Sequence, residues 1–340
     1  MIAPTRYQHW LDAVSRSFAL CIPQLESPFR DQVALAYLLM RVLDTVEDAP
    51  FADKPTQQRQ FERWRAFLHA MPSRAEVDEF VSAFPAGIDD SERAVIGDTF
   101  ALLADAHSLA APTQRVLFRA LDRMAIGMAA YSSRPTPLRL INTEDVTRYC
   151  CFVAGLVGEM LTDLWVLCTG EQGPAMQLAY HFGVFLQKVN ILKDQREDET
   201  AGRFLVPDRR ELLASLRSHA DGALAYLQAL SHADRGFRVF CAWSLVLAAA
   251  TLAQLDEPAR SRRNETAELL SRVAAIALDD AALASQFAEL MPELPAAAGS
   301  EVHAKPESIA WFRAALAAPL DDAELLGLGI ASLRDAALAG

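Results

Sequence analysis

The stretch GVFLQKVNILKDQREDETAGRFLVP, Gly183 to Pro207, decides how the rest of the chain is read. Its first half has the period of a helix. Phe185, Leu186, Val189 and Leu192 supply apolar positions, with no Gly or Pro between them. Gln187, Asn190, Asp194 and Asp198 follow at steps of three, four and four, which puts all four on one face. Two amides and two carboxylates make a stripe of oxygen ligands suited to hard cations such as Mg2+, which usually take one or two carboxylates plus substrate phosphate. The helical pattern breaks at Ala201-Gly202, and Arg203 follows before Pro207. In a chain with 44 acidic residues, one such face alone is ordinarily a solvated helix surface.

A second copy changes that weighing. In MRVLDTVEDAP, Arg41, Asp44 and Asp48 also share a face, and both segments read Asp-x-x-Glu-Asp: Asp44 to Asp48 and Asp194 to Asp198. Two acidic helix ends facing each other across a cavity can hold metal ions with a diphosphate between them. Diphosphate leaves only when its charge is neutralised, which metal ions and Arg accomplish.

The 340 residues are 52% hydrophobic, enough for a large core. Alternating apolar runs are short, and Ala and Leu dominate, so the chain reads as all-α. Its net charge of −12 argues against nucleic acid and against adhesion to anionic lipid. The five cysteines, Cys21, Cys150, Cys151, Cys168 and Cys241, form no CxxC pair and read as reduced core residues of a cytoplasmic protein. The seven histidines have no zinc-ligand spacing. The N-terminus lacks the basic start and apolar run of a signal peptide. Val239 to Leu255 is the one stretch at the short end of a membrane span, and reads as a buried central helix.

Taken in order, Ser27-Pro28 is expected to cap the helix that ends in Asp44 and Asp48, with Val33, Tyr37 and Leu38 inward and Pro50 as its stop. Residues 51–95 read as peripheral helix and loop, with Asp89 to Glu92 as a helix start. Met124, Met128 and Tyr131 share a face. Ser132 to Leu140 is a loop, and Asn142 to Asp145 caps a helix on which Tyr149, Val153, Leu156 and Met160 line one side. Residues 1–290 form the expected catalytic domain. Residues 291–340 read as a Pro/Ala-rich linker and a helical tail that docks on the same domain or touches a membrane.

Several segments together resemble the squalene/phytoene synthases, the head-to-head prenyltransferases. These are the two acidic motifs, SRSF (Ser15 to Phe18), RMAIGMAAY (Arg123 to Tyr131), YCCFVAGLVGEM (Tyr149 to Met160) and FCAWSLVLAAATLA (Phe240 to Ala253). The resemblance implies a single isoprenoid-synthase-type helical bundle around a central cavity, acting on farnesyl diphosphate. It implies Mg2+ held by Asp44, Asp48, Asp194 and Asp198, with Glu47, Glu197, Gln187 and Asn190 in support. Ser15, Arg16, Ser17, Arg41, Gln187, Asn190, Lys193 and Arg203 would meet diphosphate. Tyr149 would remove a proton or steady a cation, with the leaving diphosphate as rival proton acceptor. Phe18, Met124, Met128, Val153 and Leu156 would line the prenyl tunnel. Ser17, Asn190, Arg260 and Arg262 would contact NADPH, which reduces presqualene diphosphate to squalene.

Departures from the squalene pattern keep alternatives open. Leu205-Val206-Pro207 stands for the usual Phe-Trp-Pro, Ser244-Leu245 for a Pro-Gln pair, and Lys193 for Arg. They admit a non-reducing synthase of phytoene, dehydrosqualene or presqualene diphosphate, or transfer to another acceptor. A different class, a non-catalytic prenyl-lipid-binding protein, has no need of two intact Asp motifs. The reading places the protein in the cytoplasm or at the membrane periphery, without a transmembrane anchor.

Overall fold

The computed structural model describes residues 7–15, 17–255 and 263–296. The chain is all-α. Two short helices, α1 (Gln8–Val14) and α2 (Phe18–Cys21), and a 3-10 turn lead into α3 (Phe29–Asp48). A peripheral group follows: α4 (Lys54–His69), α5 (Arg74–Ser82), α6 (Asp90–Gly97) and α7 (Thr99–His107). Then come α8 (Ala111–Ser132), β1 (Leu138–Arg139), α9 (Thr143–Cys150) and α10 (Leu156–Thr169). The second acidic motif lies across α11 (Met176–Lys193) and α12 (Gln195–Thr200), followed by β2 (Arg203–Phe204). The remainder is α13 (Arg209–Gln228), α14 (Arg235–Ala253), α15 (Arg263–Ala275) and α16 (Asp280–Leu290).

Side chains cap seven of the helix starts. Asp53, Asp89, Asn142, Asp208, Asp234 and Asp279 each accept a backbone N–H of the first turn, and Ser73 with Glu76 forms a capping box. The expected Ser27-Pro28 cap is a correction. Pro28 stands at the cap position, and the Ser27 hydroxyl bonds the Asp31 carboxylate instead of a backbone donor.

At the centre α11 packs on α10, α13 and α14. Two glycines permit that approach. A Cβ on Gly158 would lie 2.1 Å from the Ala179 carbonyl oxygen, and one on Gly183 would lie 2.1 Å from that of Ala154. The expected central helix is α14, and its Arg238 is fully buried. The guanidinium donates to Ala277 O (2.7 Å), Leu230 O (2.8 Å) and Leu227 O (3.1 Å) and pairs with Asp280, so it ties α13 and α16 to α14. By length and composition Thr143–Thr169 also qualifies as a membrane span, not α14 alone, but both stretches are mostly buried in the body.

Cys151–Gly155 forms a π turn between α9 and α10. A π turn inserts one residue into the 3.6-residue period and rotates everything after it. The long helix from Thr143 to Thr169 therefore presents two different faces before and after this turn. The linker and tail expected over 291–340 lie outside the described residues from 297 onward.

Candidate active site

The helices α3, α8, α10, α11 and α14 enclose a cavity of about 370 Å³. Its apolar body is lined by Phe18, Val33, Tyr37, Met40, Met124, Met128, Val153, Leu186 and Phe240. Its polar end gathers both acidic motifs: Arg41, Asp44, Glu47 and Asp48 from α3, and Gln187, Asn190, Asp194 and Asp198 from the α11–α12 junction. The helix breaks at Asp194, but the spacing persists. Asp194 N–H donates to Asn190 O (2.8 Å), and Asp198 N–H donates to Asp194 O (2.9 Å).

Arg203 lies between the two motifs. It pairs with Asp48, places Nε 3.6 Å from Asp198 Oδ1, and donates from Nη2 to the Tyr149 hydroxyl at 3.3 Å. Gly202, at φ 79°, makes the turn that delivers it. Arg41 donates to Asp44 (3.1 Å) and to Glu92 (2.8 Å), so an acid of the expected helix start at α6 steadies a cavity arginine. Both guanidiniums keep a buried Nε without a hydrogen-bond partner, a donor set that fits an oxyanion.

Tyr149 is buried, and its hydroxyl donates to Glu47 at 3.1 and 3.2 Å. Burial, with the Glu47 charge adding, holds the phenol well above its ordinary pKa, so it keeps its proton. Burial also lifts the Glu47 carboxyl to about 7, against the opposing pull of Arg203. Asp198 rises to about 6 through burial and its acidic neighbours Asp194 and Glu197.

Among the described residues no three His, Cys, Asp or Glu side chains are drawn together as a ready metal cluster. The oxygen donors at the polar end instead fit Mg2+ held by one or two carboxylates with the remaining ligands from substrate phosphate and water. The residues expected to contact NADPH are Ser17, Asn190, Arg260 and Arg262. Asn190 lines the cavity but Ser17 does not, and Arg260 and Arg262 lie outside the described residues, as does Arg16.

Five expected site residues are not on the cavity wall. Leu156 is buried away from the cavity, and Val157, Gly158, Met160 and Leu161 line it, because the π turn rotates α10. Glu197 is exposed and off the cavity wall. It rides on α12, which buries nothing, whereas its counterpart Glu47 sits on the well-packed α3. Lys193 is exposed and pairs with Asp194 at 3.0 Å. Ser15 and Ser17 are not on the wall: Ser15 Oγ accepts Phe18 N–H at 3.0 Å, and Ser17 stands at the α2 cap. Wall residues whose role the sequence did not reveal include Met40 and Phe240. The signal was present for the first, since Val33, Tyr37, Met40, Asp44 and Glu47 run along one face of α3 at steps of four, three, four and three.

The model of the squalene/phytoene synthase family matches residues 11–210. The squalene synthase of Cyberlindnera jadinii is 30% identical over 272 residues, which cover 71% of this chain and 59% of that protein. The squalene synthase of Rattus norvegicus is 28% identical over 272 residues, covering 72% and 62%. The chain thus spans about three-fifths of the length of the curated relatives it matches. A solved structure described as TcSQS with the ligand BPH1237 superposes at TM-score 0.69 and 25% identity, covering 90% of this chain and 96% of that one. By family match, relatives and fold, this chain belongs to the squalene/phytoene synthases.

Proposed function

We propose that the protein is a farnesyl-diphosphate farnesyltransferase that joins two farnesyl diphosphates head to head and makes squalene. One observation carries the reading: both Asp motifs, Arg203 and Tyr149 meet at the polar end of a cavity whose remaining wall is apolar. That arrangement suits a substrate with a diphosphate head and a hydrocarbon tail.

In this reading Mg2+, when bound through Asp44, Asp48, Asp194 and Asp198, neutralises diphosphate charge. Arg41 and Arg203 hold the phosphate oxygens, and Gln187 and Asn190 orient them. Cleavage of the C–O bond of one farnesyl diphosphate sends the electron pair to diphosphate and leaves an allylic cation. The second substrate's double bond attacks, a C–C bond forms, and loss of one proton closes presqualene diphosphate. The Tyr149 oxygen faces this chemistry. Because the phenol keeps its proton, it accepts another only by passing its own to Glu47, the carboxylate it already contacts. The leaving diphosphate is the competing acceptor. The apolar wall of Phe18, Met124, Met128 and Val153 keeps water from the cations. Reduction by NADPH is supported by the squalene synthase relatives.

The test is incubation of the purified protein with Mg2+ and labelled farnesyl diphosphate, with and without NADPH. Squalene is expected with NADPH, and presqualene diphosphate without it. The same mixture in both arms makes the protein a non-reducing synthase, the reading favoured by Leu205-Val206 in place of Phe-Trp. No consumption at all overturns the transferase reading.

A further inference from the structure

Arg203 reaches the cavity on a strand of only two residues. β2 pairs in parallel with β1, Leu138 opposite Arg203 and Arg139 opposite Phe204, and Leu140 N–H donates to Phe204 O at 3.1 Å. The Arg139 guanidinium also lies over the Phe204 ring at 3.8 Å. The backbone of Arg203 is therefore tied to β1, which belongs to a non-helical segment between α8 and α9.

One carboxylate organises that segment. Asp145 is 6% exposed, and both of its oxygens are used. Arg134 forks onto it at 2.7 and 2.9 Å, Ile141 N–H donates to Oδ2 at 3.0 Å, and the Tyr131 hydroxyl donates to Oδ1 at 3.1 Å. The segment is thus bound at both ends, at Arg134 and at Ile141, to a single side chain. Lys54 adds a second tie at its start, donating to Ser132 O (2.8 Å) and to Arg134 O. Helix capping does not account for the Asp145 carboxylate, because Asn142 already caps α9 by accepting Asp145 N–H at 2.9 Å. Asp145 does not line the cavity, yet two routes lead from it to residues that do. One runs through β1 to Arg203. The other runs through Tyr131, whose ring meets Tyr149 edge to face at 5.0 Å while Arg134 lies over it at 4.1 Å.

We propose that Asp145 is a positioning residue, whose fork with Arg134 holds the 133–142 segment as a splint that aims Arg203 at the substrate diphosphate and backs the ring of Tyr149. The inference rests on the prenyl-diphosphate reading of the cavity. Removing the Asp145 charge leaves Arg134 without its partner and frees β1, so Arg203 samples orientations that do not reach the phosphate. A bidentate Arg contact loses strength steeply when its plane is misdirected.

The test measures binding of inorganic diphosphate with Mg2+ to the full chain by calorimetry, for wild type, Asp145→Asn, Arg203→Gln and the double variant. Asp145→Asn is expected to weaken diphosphate binding by about five- to tenfold, an effect of roughly one factor of ten in affinity. In the Arg203→Gln background the same change should add less than about twofold, because the two residues act as one unit. Arg134→Gln serves as the second variant should Asp145→Asn not fold, with the same expected loss and the same non-additivity. A merely structural Asp145 would lower the melting temperature and leave diphosphate affinity unchanged, or would add its full effect to Arg203→Gln. Either result overturns the proposal. Failure of the underlying reading looks different, since wild type itself would then bind no diphosphate.

Discussion

The Tyr149 hydroxyl and the Glu47 carboxylate, 102 residues apart in sequence, are joined by hydrogen bonds of 3.1 and 3.2 Å at the polar end of the cavity. The contact links an acidic motif to the tyrosine, which the resemblance treats as separate functions. Glu47→Gln and Tyr149→Phe are each expected to cut farnesyl diphosphate consumption by about a hundredfold, the usual scale of a general acid–base contribution. The double variant should be little worse than the poorer single one, as for residues acting together. Initial rates of the four proteins check this. Fully multiplicative losses would show that the two side chains work independently.

The two acidic motifs match in sequence but not in surroundings, and that difference can be measured. Asp48→Asn and Asp194→Asn are expected to reduce turnover by about two orders of magnitude or more at saturating Mg2+, since each removes charge from the cavity wall. Glu197→Gln alters an exposed side chain off that wall and should leave turnover within about twofold. Chelation by EDTA should abolish activity, and added Mg2+ should restore it. Wild-type turnover by Asp194→Asn would remove that carboxylate from the metal set.

A buried histidine pair is expected to make stability fall in acid. His181 and His219 bring their Nδ1 atoms to 3.0 Å, and Gly222 leaves the space for the first ring. Burial, with the nearby Lys188 charge adding, lowers His181 to about 4 and His219 well below its ordinary value. In the unfolded chain both titrate near 6.5. Below that pH the unfolded state binds protons that the folded state refuses. The stabilisation is complete above 6.5 and is lost as pH falls toward 4, at up to about 1.4 kcal/mol per pH unit for each ring. Thermal melts from pH 7.5 to 4.5 should show this loss, and His219→Gln should flatten it. An unchanged slope in that variant would assign the acid sensitivity to other groups.

Much of this molecule is legible in its sequence because it depends on local period and capping. The acidic faces of α3 and of the α11–α12 junction, the cap at Asn142 and the buried α14 all follow from spacing of three and four and from side chains that satisfy first-turn donors. What the sequence conceals is non-local. Glu197 looks like Glu47 until the packing of α12 is compared with that of α3. The histidines show no ligand spacing, yet two of them meet across α11 and α13. Arg203 stands out as a cation near an acidic motif, but its two-residue pairing with β1 lies below the length at which a strand leaves a periodic trace.

The π turn at Cys151–Gly155 makes the sharpest separation between the two kinds of knowledge, and it supplies a matched test. A period of 3.6 residues carried from Tyr149 through Val153 puts Leu156 on the cavity. The extra residue in the turn moves that place to Val157, which is partly exposed at the wall, while Leu156 is 1% exposed in the core behind it. Truncating Leu156 to Ala should therefore cost stability, about 2–5 kcal/mol for a buried leucine, and leave the KM for farnesyl diphosphate unchanged. Enlarging Val157 to Phe should do the reverse. The ring would enter the cavity, raise the KM for farnesyl diphosphate by about tenfold or more, and shift the melting temperature little, because the added volume meets open space rather than packed side chains. Geranyl diphosphate, shorter by one isoprene unit, should suffer less from the same substitution if the ring reaches the tail. Steady-state kinetics and melts on the two variants decide the matter. A raised KM in Leu156→Ala with a silent Val157→Phe would mean that the helix runs through this segment in unbroken α register.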